Sequence, residues 1–182
     1  MLSFLFFLLY LLLVIPLIRS IYLRQNWRKW LWVTIIGYLA LSFFLYGIKV
    51  YIDALWFVQF DLLSRFFKVF VTQWALFILG FLVSFVVLIF VTRDLPKLVR
   101  WIVTGFTALI FGLIAQPLWL TFLKFLNRVQ VGLSDPIFHK DIGFYIFNLP
   151  FQIFLLNWFI GLFLVSIVII FCVRYLHITV MF

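Results

Sequence analysis

Glutamate is missing altogether: the acidic residues are Asp53, Asp61, Asp94, Asp135 and Asp141. Histidine occurs twice and cysteine once. So few bases and nucleophiles leave almost no way to assemble a Ser–His–Asp or Cys–His triad. Cys172 has no partner for an internal disulfide and, lying in an apolar run, reads as a small buried hydrophobe. There is no Gly-rich phosphate loop, no Gly-x-Ser-x-Gly, no Cys-x-x-Cys and no His-Glu-x-x-His. No enzyme activity and no cofactor are expected. Charge is scarce too, at 10% of residues against about a quarter in ordinary soluble domains.

What fills the chain instead is hydrocarbon. Of 182 residues, 68% are hydrophobic and 23% aromatic, with 27 Phe. A soluble fold of this length leaves too much of its surface in water to hide that load. The solvent is therefore lipid. A span needs about 20 apolar residues to cross about 30 Å of hydrocarbon. Five stretches qualify, namely Leu2 to Ile18, Trp30 to Ile48, Val69 to Thr92, Trp101 to Leu123 and Phe151 to Val173. They are too long for strands and do not alternate in polarity, so the expected fold is all-α, a polytopic transmembrane helical bundle of about five spans. The first run has no positive residue ahead of it and no clear small-residue cleavage site, so it reads as a retained span.

The net charge of +9 would suggest nucleic acid in a soluble protein. Here the basic residues cluster between apolar runs, where they set topology and meet anionic head groups. Nucleic acid is not an expected partner; the lipid bilayer is. Arg19, Arg24, Arg28 and Lys29 crowd the first loop, and Arg93, Lys97 and Arg100 the third. Short, dense basic loops stay inside, which puts the N-terminus outside and the C-terminus in the cytoplasm. Trp27, Trp30, Trp32 and Trp101 fall where aromatic belts are expected.

Two outer segments carry the remaining polarity. In residues 49–68, read as a helix, Lys49, Asp53, Asp61, Ser64, Arg65 and Lys68 fall within an arc of roughly 160°. Tyr51, Leu55, Trp56, Val58, Leu62, Phe66 and Phe67 occupy the rest. That is the pattern of an interfacial amphipathic helix, or else of the ends of spans two and three. Lys49 with Asp53, and Asp61 with Arg65, are spaced to pair. In residues 124–150, Asp135-Pro136 reads as a helix start, with Asp capping free amides and Pro at the first helical position. Asn148 with Pro150 reads as the start of the fifth span in a similar way. Asp135, His139 and Asp141 show none of the spacings of zinc or calcium sites, so capping and surface solvation are expected and a metal is not. His177, near the C-terminal end, has no visible partner.

No Lys, Arg, Asp or His lies in the middle of a span, which argues against a pump or ion channel built by these helices alone. Gln73, Gln116 and Asn157 are expected to make interhelical hydrogen bonds. Thr104, Ala108, Gly112 and Ala115 follow one another at spacings of four, four and three. Gly80 and Ser84 repeat the pattern, with Gln73 on the same face. Such small-residue stripes let two backbones approach closely. Pro117 is expected to kink the outer end of span four.

Two longer patterns resemble a known family. Tyr51-Ile52-Asp53-Ala54-Leu55-Trp56-Phe57 resembles Tyr-Thr-Asp-x-Leu-Trp-Phe. Asp135-Pro136-Ile137-Phe138-His139-Lys140-Asp141-Ile142-Gly143-Phe144-Tyr145-Ile146-Phe147-Asn148-Leu149-Pro150 resembles Asp-Pro-x-Phe-Gly-(Arg/Lys)-Asp-Ile-(Ser/Gly)-Phe-Tyr-x-Phe-x-Leu-Pro. Phe125-Leu126-Asn127 fits just upstream. Both are similar to the bacterial uncharacterised protein family 0182, over about residues 30–175 of this chain. The chain departs at Ile52, where the family favours Thr, and at His139, where it favours Gly. The resemblance implies the N-terminal membrane part of a much larger protein with a big extracytoplasmic domain, and it brings no established activity.

The chain then divides into residues 1–29, an added N-terminal span with its basic loop, and residues 30–182, a family-like membrane domain. Asp53, Trp56, Asp135, Pro136, Asp141, Tyr145 and Pro150 are the candidate outer-face motif. Gly80, Ser84, Thr104, Ala108 and Gly112 are the candidate helix-packing residues. The leading expectation is a membrane module for anchoring and assembly, with other membrane or envelope subunits or the rest of the same protein as partners. Two alternatives stand beside it: part of a transporter or permease, and the membrane anchor of an envelope enzyme whose catalytic domain lies elsewhere.

Overall fold

Backbone amides in hydrocarbon have no water to bond, so long apolar runs satisfy them within a helix. The computed structural model describes residues 2–22 and 27–180, with side chains described for Tyr10, Leu12, residues 14–22 and residues 28–175. Six α-helices follow in order: α1 (Leu2–Tyr22), α2 (Trp27–Val58), α3 (Leu63–Val91), α4 (Lys97–Ala115), α5 (Trp119–Leu126) and α6 (Leu149–Val180). A 3₁₀ turn, Gln116–Leu118, joins α4 to α5, and a π turn, Phe144–Asn148, leads into α6. Arg24 and the side chains of Trp27 and His177 lie outside the described residues.

Among the described residues, four helical stretches are long and apolar enough to cross a membrane: Arg28–Val58, Leu63–Val91, Lys97–Leu126 and Phe144–Tyr175. The expected count of five is thus corrected to about four. Much of α1 has side chains outside the described residues, so it does not enter this count. At about 1.5 Å per residue the 32-residue α2 is about 48 Å long, well beyond about 30 Å of hydrocarbon. The overshoot absorbs the first outer segment. No separate interfacial helix forms over residues 49–68: α2 runs on to Val58, and α3 starts at Leu63. Between them lies a tight turn, with Asp61 in the left-handed region (φ 54°) and Leu62 N–H donating to Phe57 O at 3.0 Å. The turn places Asp61 and Arg65 off a common helix. Neither that pair nor Lys49–Asp53 forms; among the described residues the ion pair is Arg93–Asp94, at 3.6 Å.

The chain forms two compact units, Met1–Ser64 and Arg65–Phe182. In the first, α1 meets α2 through Tyr10, whose hydroxyl lies 2.9 Å from Ser42 Oγ and whose ring stacks on Tyr38 at 4.5 Å.

In the second unit α3, α4 and α6 share a core of Leu88, Phe111, Trp158 and Leu162. The small residues decide how close α3 and α4 come. A Cβ added to Gly80 would sit 3.0 Å from Ala115 Cβ and 3.2 Å from Phe111 O. Ser84, Thr104 and Ala108 are fully enclosed. The stripe thus serves packing within one chain. Beside it, Phe66, Phe70, Trp74, Phe77, Phe81 and Phe85 run up α3 in successive ring contacts and end on Trp101 of α4.

The polar contacts of this core differ from those expected. The side chains of Gln73, Gln116 and Asn157 make no hydrogen bond within the described residues. Asn157 is exposed because it precedes buried Trp158, and one residue turns a helix by about 100°. The bonds that do form join Thr92 Oγ1 to Thr104 Oγ1 (2.8 Å) and Trp158 Nε1–H to Phe111 O (3.2 Å). Arg100, counted above as a loop cation, donates from Nη2 to Ile89 O at 3.0 Å, near the carbonyl end of α3 where positive charge is favoured. Cys172 is exposed, not buried; the neighbouring Val173 takes the inward position. Pro117 produces the expected break, expressed as the 3₁₀ turn between α4 and α5.

Candidate functional site

The densest polar structure lies in residues 127–143, between α5 and α6. Its ends are held by backbone bonds. Asp135 N–H donates to Lys140 O (2.8 Å) and Ile142 N–H to Leu133 O (2.9 Å), while Ser134 and Asp141 form an isolated antiparallel bridge. The loop is therefore a small hairpin with residues 136–139 at its tip.

Two carboxylates organise it. Asp135 accepts from Ile137 N–H (3.3 Å), Phe138 N–H (3.2 Å) and the Tyr145 hydroxyl (2.9 Å). Asp capping free amides is as expected, but no helix follows Asp135-Pro136. His139 takes a left-handed φ of 52° and ends the turn after one cycle, with its N–H donating to Asp135 O. A left-handed position favours glycine, which gives a physical reason for the family's Gly where this chain has His139.

Asp141 accepts from Val131 N–H (3.1 Å), Gly132 N–H (2.8 Å) and Gly143 N–H (2.6 Å). Gly132 reaches this geometry with φ +77°, open to glycine and strained for other residues. Gly143 is required for space, since a Cβ there would collide with Val129 O and lie 2.7 Å from Asp141 Oδ1. Sequence reasoning singled out neither glycine, although the Asp-Ile-Gly signal was present. Accepting amide hydrogen bonds favours a charged carboxylate. The Val131 and Gly132 amides hold Asp141 below the usual carboxylate range, and Gly143 adds to them. For Asp135 the Tyr145 hydroxyl is the largest cause of the same lowering.

Asp141 also corrects the start of the last span. Helix begins at Ile142, capped by Asp141, rather than at Asn148. Asn148 lies in the π turn with its side-chain oxygen enclosed and without a partner. The turn has a local cause. Pro150 has no N–H to give Ile146, and its ring would crowd that carbonyl in a regular helix. Widening the preceding turn, with Leu149 N–H bonded to Phe144 O, accommodates it.

Of the candidate outer-face residues, Asp135, Pro136, Asp141 and Tyr145 come together in the hairpin and its hydrogen bonds, with Pro150 just beyond. Asp53 and Trp56 belong to the first unit, where both are exposed on α2. The candidate packing residues Gly80, Ser84, Thr104, Ala108 and Gly112 are all buried. No group of three or more His, Cys, Asp or Glu able to hold a metal occurs among the described residues. A cleft of about 540 Å³ opens beside the hairpin, lined by Arg128, Val129, Gln130, Asp141, Gly143, Phe144 and Asn148.

Comparison with known proteins gives one consistent relationship. Residues 90–181 match the model of the Uncharacterised protein family (UPF0182), a region that includes the whole hairpin. A UPF0182 protein of Rhodococcus erythropolis is 33% identical over 138 residues, covering 61% of this chain and 14% of the relative. One from Corynebacterium jeikeium is 30% identical over 164 residues, covering 74% and 16%. One from Clostridium tetani is 32% identical over 131 residues, covering 65% and 15%. The chain thus spans only about one-seventh of the length of these relatives. No solved structure matches. A family model covering half the chain, agreeing with the quoted Asp135–Pro150 pattern, makes this helical membrane chain a member of the Uncharacterised protein family UPF0182.

Proposed function

We propose that the chain is a non-enzymatic membrane module of a bacterial envelope protein. It anchors the protein in the plasma membrane and offers the 127–143 hairpin to the rest of that protein or to envelope subunits. The observation that carries this reading is the hairpin itself. Two carboxylates spend their hydrogen-bonding capacity on holding a short exposed loop in one shape, which suits a docking surface better than a reaction centre. The orientation we assign places Arg93 and Lys97 in the cytoplasm and the hairpin outside, following the basic loops.

The test is association in membranes. The chain, expressed with the remaining part of a full-length relative as a second polypeptide, should comigrate with it on native gels. The Asp135→Ala/Asp141→Ala variant should lose comigration while still resisting alkaline extraction. Release of the wild-type chain by alkaline extraction would overturn anchoring, and undiminished comigration of the variant would overturn docking through the hairpin.

Transport is the second reading, supported by the helix break at Gln116–Leu118, since broken helices line substrate sites in transporters. Substrate uptake by the full-length protein that is abolished by Gln116→Leu would favour it over the anchoring role.

A further inference from the structure

The cleft is lined by Arg128, Val129, Gln130, Asp141 and Gly143 at the base of the hairpin together with Phe144 and Asn148, and its position is informative. Arg128 and Gln130 follow directly on the apolar stretch that ends at Leu126. Phe144 and Asn148, also in the lining, stand at the start of the next apolar stretch. The cleft therefore lies where hydrocarbon gives way to head groups, the depth at which lipid phosphates sit.

Its chemistry is that of an oxyanion site. Among the described residues Arg128 has no carboxylate within ion-pair distance; its guanidinium is placed 5.6 Å from the centre of the Phe125 ring. Asp141, the one acid lining the cleft, has its charge shared among three backbone amides. The side chain of Asn148 makes no hydrogen bond among the described residues, and its enclosed oxygen has no partner. Leaving a buried polar group unpaired costs about 1–3 kcal/mol, so the Asn148 oxygen, an acceptor, gains from a ligand that brings an N–H or O–H donor. Gln130 supplies a second carboxamide to the lining. By contrast, the smaller cleft of about 190 Å³ near Arg174 has Arg93 already paired with Asp94.

We propose that this cleft binds the head group of a membrane phospholipid, with Arg128 and the Gln130 carboxamide N–H groups taking the phosphodiester and the Asn148 oxygen accepting from the ammonium or hydroxyl of the head group. The inference does not depend on the docking role of the hairpin. A guanidinium binds phosphate through two parallel N–H bonds, which a point charge does not reproduce. Arg128→Lys should therefore bind less than wild type, though more than Arg128→Gln.

The experiment measures phospholipid retained per chain by native mass spectrometry, after release from nanodiscs of mixed phosphatidylglycerol and phosphatidylethanolamine. The expected result is one retained lipid for the wild type, lost about tenfold in Arg128→Gln and reduced in Asn148→Leu. Lys140→Gln, an exposed charge outside the cleft, should retain lipid fully, and helix content should match across variants. Excess inorganic phosphate should not displace the lipid. Unchanged retention in Arg128→Gln would overturn the proposal. So would equal loss in Lys140→Gln, which would mean nonspecific charge. Ready displacement by inorganic phosphate would overturn it too, by making this a site for the free anion.

Discussion

Gly112 lies so close to Phe77 that a Cβ on it would stand 2.9 Å from the Phe77 carbonyl oxygen and 3.0 Å from its ring. The glycine is inside a regular helix, so the requirement is space and not backbone conformation. It gives α3 and α4 their close approach, and it directs the small-residue stripe of α4 to a neighbour in the same chain. Association between chains has to use other surfaces.

Gly112→Leu should therefore destabilise the folded chain itself. Overpacking typically costs about 1–3 kcal/mol, and a rigid backbone carbonyl as the obstacle argues for the upper part of that range. Reversible unfolding in mixed micelles measures it. An unchanged midpoint would mean that α3 and α4 do not meet as described.

The Thr92–Thr104 bond is enclosed on all sides but joins two neutral hydroxyls. Thr92 Oγ1 also bonds Leu88 O, so it keeps a partner if Thr104 is changed. A double-mutant cycle with Thr92→Val and Thr104→Val should give a coupling of about 0.6 kcal/mol, the usual size for such bonds in membranes. Coupling near zero would show that the hydroxyls do not meet.

The Asp141 cradle should depend on pH. Its folded-state carboxyl titrates below the ordinary aspartate range because the Val131 and Gly132 amides bond the charged form. A depressed carboxylate stabilises the fold fully above the unfolded value, and the contribution is lost as pH falls through the lower folded value. Amide protection at Val131, Gly132 and Gly143, measured against the intrinsic exchange rate at each pH, should thus be high at neutral pH and fall below about pH 4. Asp141→Asn should show the low protection at neutral pH. Equal exchange in the two proteins would contradict the cradle.

His139→Gly should stabilise the hairpin. A left-handed conformation costs an ordinary residue about 1–2 kcal/mol, and the greater freedom of unfolded glycine returns part of it. A net gain of about 0.5–1 kcal/mol, read as slower proteolysis at the loop, is expected. Faster cleavage would mean that the His139 side chain makes a contact that outweighs the strain.

Several features were legible from local pattern. The apolar stretches at 69–92 and 151–173 match α3, to within one residue, and α6, and that at 101–123 matches α4, the 3₁₀ turn and α5 together, because hydropathy sums along the chain and needs no knowledge of neighbours. Pro117 marked its break for the same reason, since a missing N–H acts on its own turn. Asp135 was seen to cap amides, but whether a helix followed depended on the conformation of His139 four residues on. Asn148 seemed a helix start; the true cap, Asp141, needed the hairpin to fold back and bring Val131 and Gly132 to its second side.

The sequence by itself thus determined that this is a helical membrane chain of the UPF0182 family, because lipid solvation and a continuous motif are both properties of local sequence. Tertiary structure alone decided that Gly112 meets Phe77, that Trp158 faces the core while Asn157 faces away, and that Gly143 must lack a side chain. Those outcomes depend on which surface each residue turns to which neighbour, and close packing is set by the shapes of both partners at once.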